Sequence, residues 1–510
     1  MKKMSLHNIA ESCGGELRIP EGYPNTDIWE GTEITQAVLD SRQILPGGLF
    51  FATLGERVDG HKFIGSVFEQ GAYCVITQKT PEMVEVEYGV PMEKWGAYIL
   101  VEDSLQALRD IAGFYRQTLK IPIIGITGSV GKTSTKEFIA GVLSVKYKVL
   151  KTDGNFNNEI GLPLTLLRIR EEHQIAVVEM GISDFGEMQR LSKIARPDIC
   201  VITNIGQSHL ETLKSRDGIL QAKTEIFEYM SPRGEVCLNG DDDKLIQIAY
   251  VHGKKPHFYG ISQASHKEVY VTDVTGQGLF GSNALIHWES GCNEGMEKTM
   301  MPVHIPLPGL HMVSNAAAAA CIGKLLELTP EQIADGISRV TPVGGRSNLI
   351  AHKSYTLLDD CYNANPVSMK GAIDLLCQTD TRNTAILGDM FELGENSDAM
   401  HAEIGRYAVR SGLHTICFIG EKARIMYNAA VEAYKEEIML SGLVPGEEDA
   451  EIDKEIISQH QYLHFAEKAG FLAWMEQEGE TLFPEGVTVL IKASHGMGFQ
   501  EIVEAAYWKQ

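Results

Sequence analysis

Short, continuous apolar runs alternate along the chain with longer stretches whose apolar positions recur every three or four residues. "GGLFFATLG" and "GAYCVITQ" read as strands, and "SLQALRDIAGFYRQTL" predicts an amphipathic helix ending at Lys120. "IPIIGIT" is a buried apolar strand that runs into a glycine-rich turn, and "TSTKEFIAGVLSV" is the helix after it. "IAVVEMG", "DICVITNIG" and "GEVCLNGDD" are too continuously apolar for a half-exposed strand, so they read as parallel strands buried on both faces. "SNAAAAACIGKLLEL" predicts a helix of high intrinsic propensity capped by Ser314. The glycine pair of "TPVGGRSN" marks a boundary near residue 343, and a second alternation follows with "TLLDDCY", "TAILGDM", "HTICFIG" and "TVLIKAS" as strands.

The pattern therefore predicts an α/β protein in three parts, 1–118, 119–343 and 344–510. Two stretches read as insertions. Residues 262–302 are polar and punctuated by glycine, and residues 432–458 are rich in Glu and Asp and read as a solvated, mobile excursion. A length of 510 residues agrees with more than one core.

Charge and cysteine usage narrow the partners. The net charge is 45 − 68 = −23, which argues against nucleic acid and requires any phosphorylated ligand to find a local cationic pocket or a metal ion. Nine scattered cysteines form no C-x-x-C pair, so a disulfide framework and a zinc ribbon are both unexpected and a reducing cytoplasm is expected. The start "MKKMSLHNIAESCGGEL" lacks the apolar stretch of a signal peptide, and no run of about 18 apolar residues suggests a membrane span.

The first candidate chemistry is "GITGSVGKTSTKEF". Its Gly-Lys-Thr triplet follows an apolar strand and opens a helix, as a phosphate loop requires, but its glycines are spaced differently from G-x-x-x-x-G-K-[ST]. Gly128, Ser129, Val130, Gly131, Lys132, Thr133 and Ser134 would cradle phosphate oxygens, with Lys132 on the β- and γ-phosphates and Thr133 on Mg²⁺. An ordinary glycine turn is the alternative, and placement after a buried strand disfavours it.

The shortened spacing of "TGSVGKTST" resembles the ATP loop of the Mur ligases, which form peptide bonds in bacterial cell-wall precursors. Further motifs extend the resemblance over nearly the whole chain. "NFNNEIGLP", with Asn157 and Asn158, looks like the Asn-rich loop of the family member that adds D-Ala-D-Ala. "VVEMG", "TNIGQSHLE" and "QAKTEIF" carry Glu179, His209 and Lys223, which with Thr133 match the family's metal site; each alone would be an unremarkable surface or packing residue. Asn315 matches an adenine-contacting asparagine, although Met312 stands where the family has Asn. "GGRSN" supplies Arg346, matching an arginine that reaches ATP from the third domain, and Asp360 matches a ribose-binding aspartate. Tyr362, Asn363 and Asn365 in "YNANP" resemble the signature of the D-Ala-D-Ala-adding member. "LGDMFELG" with His401 continues the match, whereas His495 and Gln500 replace the usual Arg and Glu. At the N-terminus Ser41 and Arg42 are candidates for uridine or diphosphate contact.

The resemblance implies an N-terminal α/β UDP-sugar-binding domain, a central ATPase-like domain on a mostly parallel sheet, and a Rossmann-like C-terminal domain. It implies ATP, two Mg²⁺ sites and a carbamylated Lys223, with a UDP-linked muramoyl tripeptide and D-Ala-D-Ala as substrates, and a monomer. Lys132, Glu179, His209, Lys223 and Arg346 are the expected catalytic set. Another amide ligase of the same fold, such as an amino-acid-adding Mur enzyme or a folylpolyglutamate synthase, and a degenerate ATP-binding paralogue are the rival readings.

Overall fold

Three sheets organise the chain in a computed structural model that describes residues 1–20, 31–55, 58–290, 297–379, 381–413, 415–441 and 461–508. The first sheet has five strands in the order Glu16–Arg18, Ala97–Leu100, Cys74–Thr77, Leu49–Phe51, Ala37–Val38, parallel except for Glu16–Arg18. The third has six, in the order Asn348–Ala351, Thr356–Asp359, Thr488–Lys492, Asn383–Gly388, Thr415–Ile419, Gln461–Phe465, parallel except for its first strand.

The central sheet has nine strands. Ile123–Thr127 lies inside it, paired in parallel with Ile175–Glu179 on one side and Ile199–Ile202 on the other. All three are buried at every position, which is why they read as unbroken apolar runs rather than alternating ones. The chain leaves Ile123–Thr127 toward one edge, returns through Val149–Lys151 and Ile175–Glu179, and crosses to the other side at Ile199–Ile202. The loops after the three neighbouring strands therefore open together at their carboxyl ends, at the switch point where such sheets hold ligands.

The described parts of residues 262–302 are largely strand, and residues 291–296 lie outside the described residues. Val269–Gly276, Ser282–Ser290 and Glu297–Ile305 extend the central sheet, the last two antiparallel. Ala284, Ile286, Trp288, Met301, Val303 and Ile305 alternate into the core, while their polar neighbours face outward and give the stretch its loop-like composition. Residues 432–441 also depart from the expected excursion, since they belong to the helix Ala423–Ser441; residues 442–460 lie outside the described residues. The alanine-rich helix starts at Leu310, not after Ser314. Gly309, at φ 100°, makes the turn into it, so the first helical turn carries His311 and Met312 to the edge of the phosphate loop.

One core runs continuously from the first sheet into the central domain. The helix Ser104–Thr118 lies between them: the Tyr115 hydroxyl donates to the Ile169 carbonyl at 2.6 Å, and Arg116 bonds the Ala195 carbonyl at 2.7 Å and Asp198 at 2.8 Å. Among the described residues, no helix is long and apolar enough to cross a membrane.

Candidate active site

The turn Gly128–Gly131 is held from outside by the loop after Ile199–Ile202. Ser129 N–H donates to the Asn204 carbonyl at 3.0 Å, Val130 N–H to the Asn204 side chain at 3.0 Å, and Thr203 Oγ1 to the Val130 carbonyl at 2.6 Å. Gly128 adopts φ 148°, and a Cβ there would lie 1.9 Å from Thr203 Oγ1, so no other residue fits. The glycine spacing thus reflects a loop seated on its neighbour. Asn204 and Thr203 hold this turn in place, and a reading limited to the Gly-Lys-Thr motif passes over them.

Helix Lys132–Ser144 begins at this turn with its N-terminal amides facing the loop. Lys132 Nζ donates to the Gly128 carbonyl at 2.9 Å. Burial lowers its pKa; Glu179 nearby opposes that shift and Arg346 adds to it. Thr133 Oγ1 donates to Glu179 Oε2 at 2.8 Å, and Asn157 Nδ2 donates to Glu179 Oε1 at 2.8 Å. Glu179 is 1% exposed, so a buried carboxylate sits beside the loop with both oxygens on neutral donors. Asn158 accepts from the Gly161 amide at 2.9 Å and secures the turn into the next helix.

Lys223 lies on the helix Arg216–Thr224 at 1% exposure. Desolvation lowers its pKa well below the ordinary lysine value, with Lys132 adding to the effect. His209 follows in the loop that also braces the phosphate turn, and its Nδ1 pairs with Glu392 Oε2 of the third sheet's domain at 2.6 Å.

The opposite wall comes from that same domain. Arg346 stacks its guanidinium 3.9 Å from the centre of the Tyr362 ring. Asp360 accepts from the Ser347 amide at 2.9 Å and pairs with Lys492, whose Nζ also donates to the Asn363 carbonyl at 3.0 Å. Lys492, 2% exposed, closes an apolar strand that reads as core, so its sequence context does not mark it as a site residue. Asn363 Oδ1 accepts from the Ala364 amide at 2.9 Å. Asn365 caps the helix Pro366–Cys377 through the Ser368 amide at 2.9 Å, and its Nδ2 faces Ser208 Oγ of the central domain at 3.4 Å.

Between these walls lies a cavity of about 1030 Å³, lined by Ser129, Val130, Gly131, Lys132, Ser134, Asn157, Asn158, Glu179, His209, Arg346, Asp360, Tyr362, Asn363 and Asn365, together with Lys492 and His311. Most of the predicted site residues therefore meet although they come from two domains. Gly128, Thr133 and Lys223 lie behind the lining. Asn315 is also behind it: its Oδ1 accepts from Thr135 at 2.9 Å and its amide faces Met312 Sδ at 3.6 Å. Ser41 and Arg42 lie outside this cavity, in the first domain, with Arg42 exposed and paired to Asp40 at 2.7 Å. His401 is fully buried and braces the Met390 amide at 3.0 Å.

Family models match three segments: "Mur ligase family, catalytic domain" at residues 33–116, "Mur ligase middle domain" at 126–323, and "Mur ligase, glutamate ligase domain" at 345–475. The UDP-N-acetylmuramoyl-tripeptide–D-alanyl-D-alanine ligase of Bacillus subtilis is 35% identical over 507 residues, covering 99% of this chain and 98% of the relative. The chain belongs to the Mur ligase family. Two solved structures resemble this Mur ligase along most of its length. MurF from Acinetobacter baumannii is 27% identical with a TM-score of 0.80, covering 99% of both chains. The MurF ligase of Thermotoga maritima, solved in complex with ADP, is 25% identical with a TM-score of 0.71, covering 92% of this chain and 96% of that one. This Mur ligase thus shares their three-domain α/β architecture.

Proposed function

We infer that this Mur ligase uses ATP to join D-alanyl-D-alanine to UDP-N-acetylmuramoyl tripeptide. The full-length likeness to the Bacillus subtilis ligase of that name carries the reading. A cavity that faces a phosphate loop on one wall and the Tyr362–Asn365 turn on the other supports it. The domains are proposed as residues 1–118 for the UDP sugar, with Ser41 and Arg42 on the uridine or diphosphate, 119–343 for ATP, and 344–510 for the dipeptide.

The tripeptide carboxylate attacks the γ-phosphorus of ATP and yields an acyl phosphate and ADP. The neutral dipeptide amine then attacks the acyl carbon, and the tetrahedral intermediate collapses as the C–O bond to phosphate breaks and the nitrogen's proton leaves to the departing phosphate or solvent. The first step brings two anions together, and Lys132 and Arg346 are the cationic side chains proposed to offset their repulsion. Amides of Ser129–Ser134 hold the phosphates. Asn315 supports the loop from behind, through Thr135 and against Gly131, so its proposed part on the adenine side rests on the resemblance. Asp360 is proposed for the ribose, and Asn157, Asn158, Tyr362, Asn363 and Asn365 for the two peptide substrates. Closure of the domains would exclude water from the acyl phosphate.

Glu179, His209 and Thr133 would hold Mg²⁺, which supplies neutralisation of charge on the transferring phosphoryl group. The donor set fits a hard cation, since the buried Glu179 carboxylate meets only neutral donors. Among the described residues there is no cluster of three or more His, Cys, Asp and Glu, so phosphates and water would complete the coordination. Lys223 is proposed to be carbamylated. The neutral amine, which desolvation favours here, would add to CO₂ and release a proton, giving a carbamate anion whose oxygens suit a divalent cation.

Phosphate release measured with ATP, Mg²⁺, UDP-muramoyl tripeptide and D-Ala-D-Ala tests the function. Release should require both peptide substrates. Equal release with single amino acids in place of the dipeptide would favour another member of the family.

A further inference from the structure

His209 and Glu392 meet across the boundary between the central and C-terminal domains, with Nδ1 and Oε2 2.6 Å apart. At that separation the ring nitrogen donates and the carboxylate oxygen accepts, which places the shared hydrogen on Nδ1. In a neutral imidazole that leaves the lone pair on Nε2. A histidine that ligates a metal through one ring nitrogen characteristically donates the other N–H to a carboxylate, which fixes both tautomer and ring orientation. Here the carboxylate comes from a different domain.

The backbone at both residues points the same way. His209 has φ 57° and Glu392 φ 63°, a left-handed conformation that is uncommon for residues with a Cβ. Side-chain exposures of 22% and 56% mean that the contact by itself returns little stability. Two facing residues held in a disfavoured conformation for a weak pair indicate a role other than stability. The same seam contains the Asn365–Ser208 contact at 3.4 Å, and Gly394 lies against the backbone of Glu211. The loop that carries His209 is therefore the surface on which the C-terminal domain docks.

We propose that Glu392 is a positioning residue which completes the metal site from the C-terminal domain. It holds His209 in its ligating tautomer only when that domain is docked, so metal binding and docking are linked and each strengthens the other. The proposal rests on the reading of His209 as a Mg²⁺ ligand.

Mn²⁺ titrations of the full chain in the presence of ADP, followed by electron paramagnetic resonance, test both levels separately. His209→Ala should weaken Mn²⁺ binding; unchanged affinity would remove the ligand reading and the proposal with it. Glu392→Ala should weaken Mn²⁺ binding about 10- to 100-fold, and Glu392→Gln should lose less, because its amide oxygen still accepts the Nδ1 hydrogen. Weak binding in His209→Ala with normal binding in Glu392→Ala would overturn the proposal while leaving the ligand reading intact. X-ray scattering should show Mn²⁺ with ADP compacting the wild type more than Glu392→Ala, and identical compaction would count against the linkage.

Discussion

Lys223 is 1% exposed and its main electrostatic neighbour is another lysine. Burial alone would leave a neutral amine with nothing to do, whereas carbamylation would give it a charge suited to a divalent cation. Lys223→Ala should therefore lose activity by a factor on the order of a hundred, and acetate should restore part of it by supplying the missing carboxylate. Ordinary activity in the variant, measured by phosphate release, would return Lys223 to the role of a packed side chain. The asparagines of "YNANP" divide differently. Asn365 caps a helix, so Asn365→Ala should cost about 0.5–2 kcal/mol of stability in addition to any effect on substrate. Asn363 bonds only the adjacent amide through its side chain, which makes it the cleaner probe. Asn363→Ala should raise the KM for D-Ala-D-Ala about tenfold, the worth of one or two hydrogen bonds, with the KM for ATP unchanged. A defect confined to ATP would move Asn363 to the nucleotide side.

At the scale of elements, the central sheet is tied to its alanine-rich helix by a charged network. His257 Nδ1 pairs with Glu268 Oε2 at 2.6 Å, and Glu268 also pairs with Lys324 on the helix. The hydrogen bond to Glu268 raises the His257 pKa from 6.5 to about 9 despite burial. The same bond lowers Glu268 to about 2. A raised histidine pKa stabilises the fold fully below its unfolded value and loses that contribution as pH rises through the folded one. The wild-type melting temperature should consequently fall between pH 6.5 and about 9, and His257→Gln should flatten that slope. The Glu268 contribution has the opposite sign and disappears only on acidification toward about pH 2, so it is constant across the alkaline window. Parallel slopes in the two proteins would show that the network does not report on folding. The sheet extension made by Val269–Gly276, Ser282–Ser290 and Glu297–Ile305 belongs to this scale as well. Its inward residues alternate cleanly, and the register that buries Ile286 and Val303 is defined by antiparallel pairing of consecutive strands, Ile286 opposite Val271 and Val303 opposite Ala284.

For the whole molecule, the cavity exists because two domains face each other. Arg346 and Asp360 belong to one and Lys132 to the other, and no contact within either domain brings them together. With a net charge of −23, the cationic patch formed by Lys132, Arg346 and Lys492 is the local exception that a phosphorylated substrate requires. Binding of ATP and UDP-muramoyl tripeptide should draw the domains toward the arrangement described here. Small-angle scattering should then show a smaller radius of gyration for the ligand-bound form, and superimposable profiles would argue against closure.

The sequence alone determined what is local in the backbone. Glycine spacing before Lys132 specifies a turn into a helix, and runs buried on both faces specify parallel strands, because each depends on a few consecutive residues and their steric or hydrogen-bonding preferences. Motif order also carried the family, since many weak matches in sequence constrain one another. Tertiary structure decided which of those residues share a space. Only it showed that Asn204 and Thr203 seat the phosphate loop, that Asn315 supports the loop from behind, that Lys492 joins Asp360 to the Asn363 turn, and that Glu392 reaches His209. These are contacts between segments far apart in the chain. Their partners are chosen by how sheets and domains pack, and no local preference of either residue encodes the other.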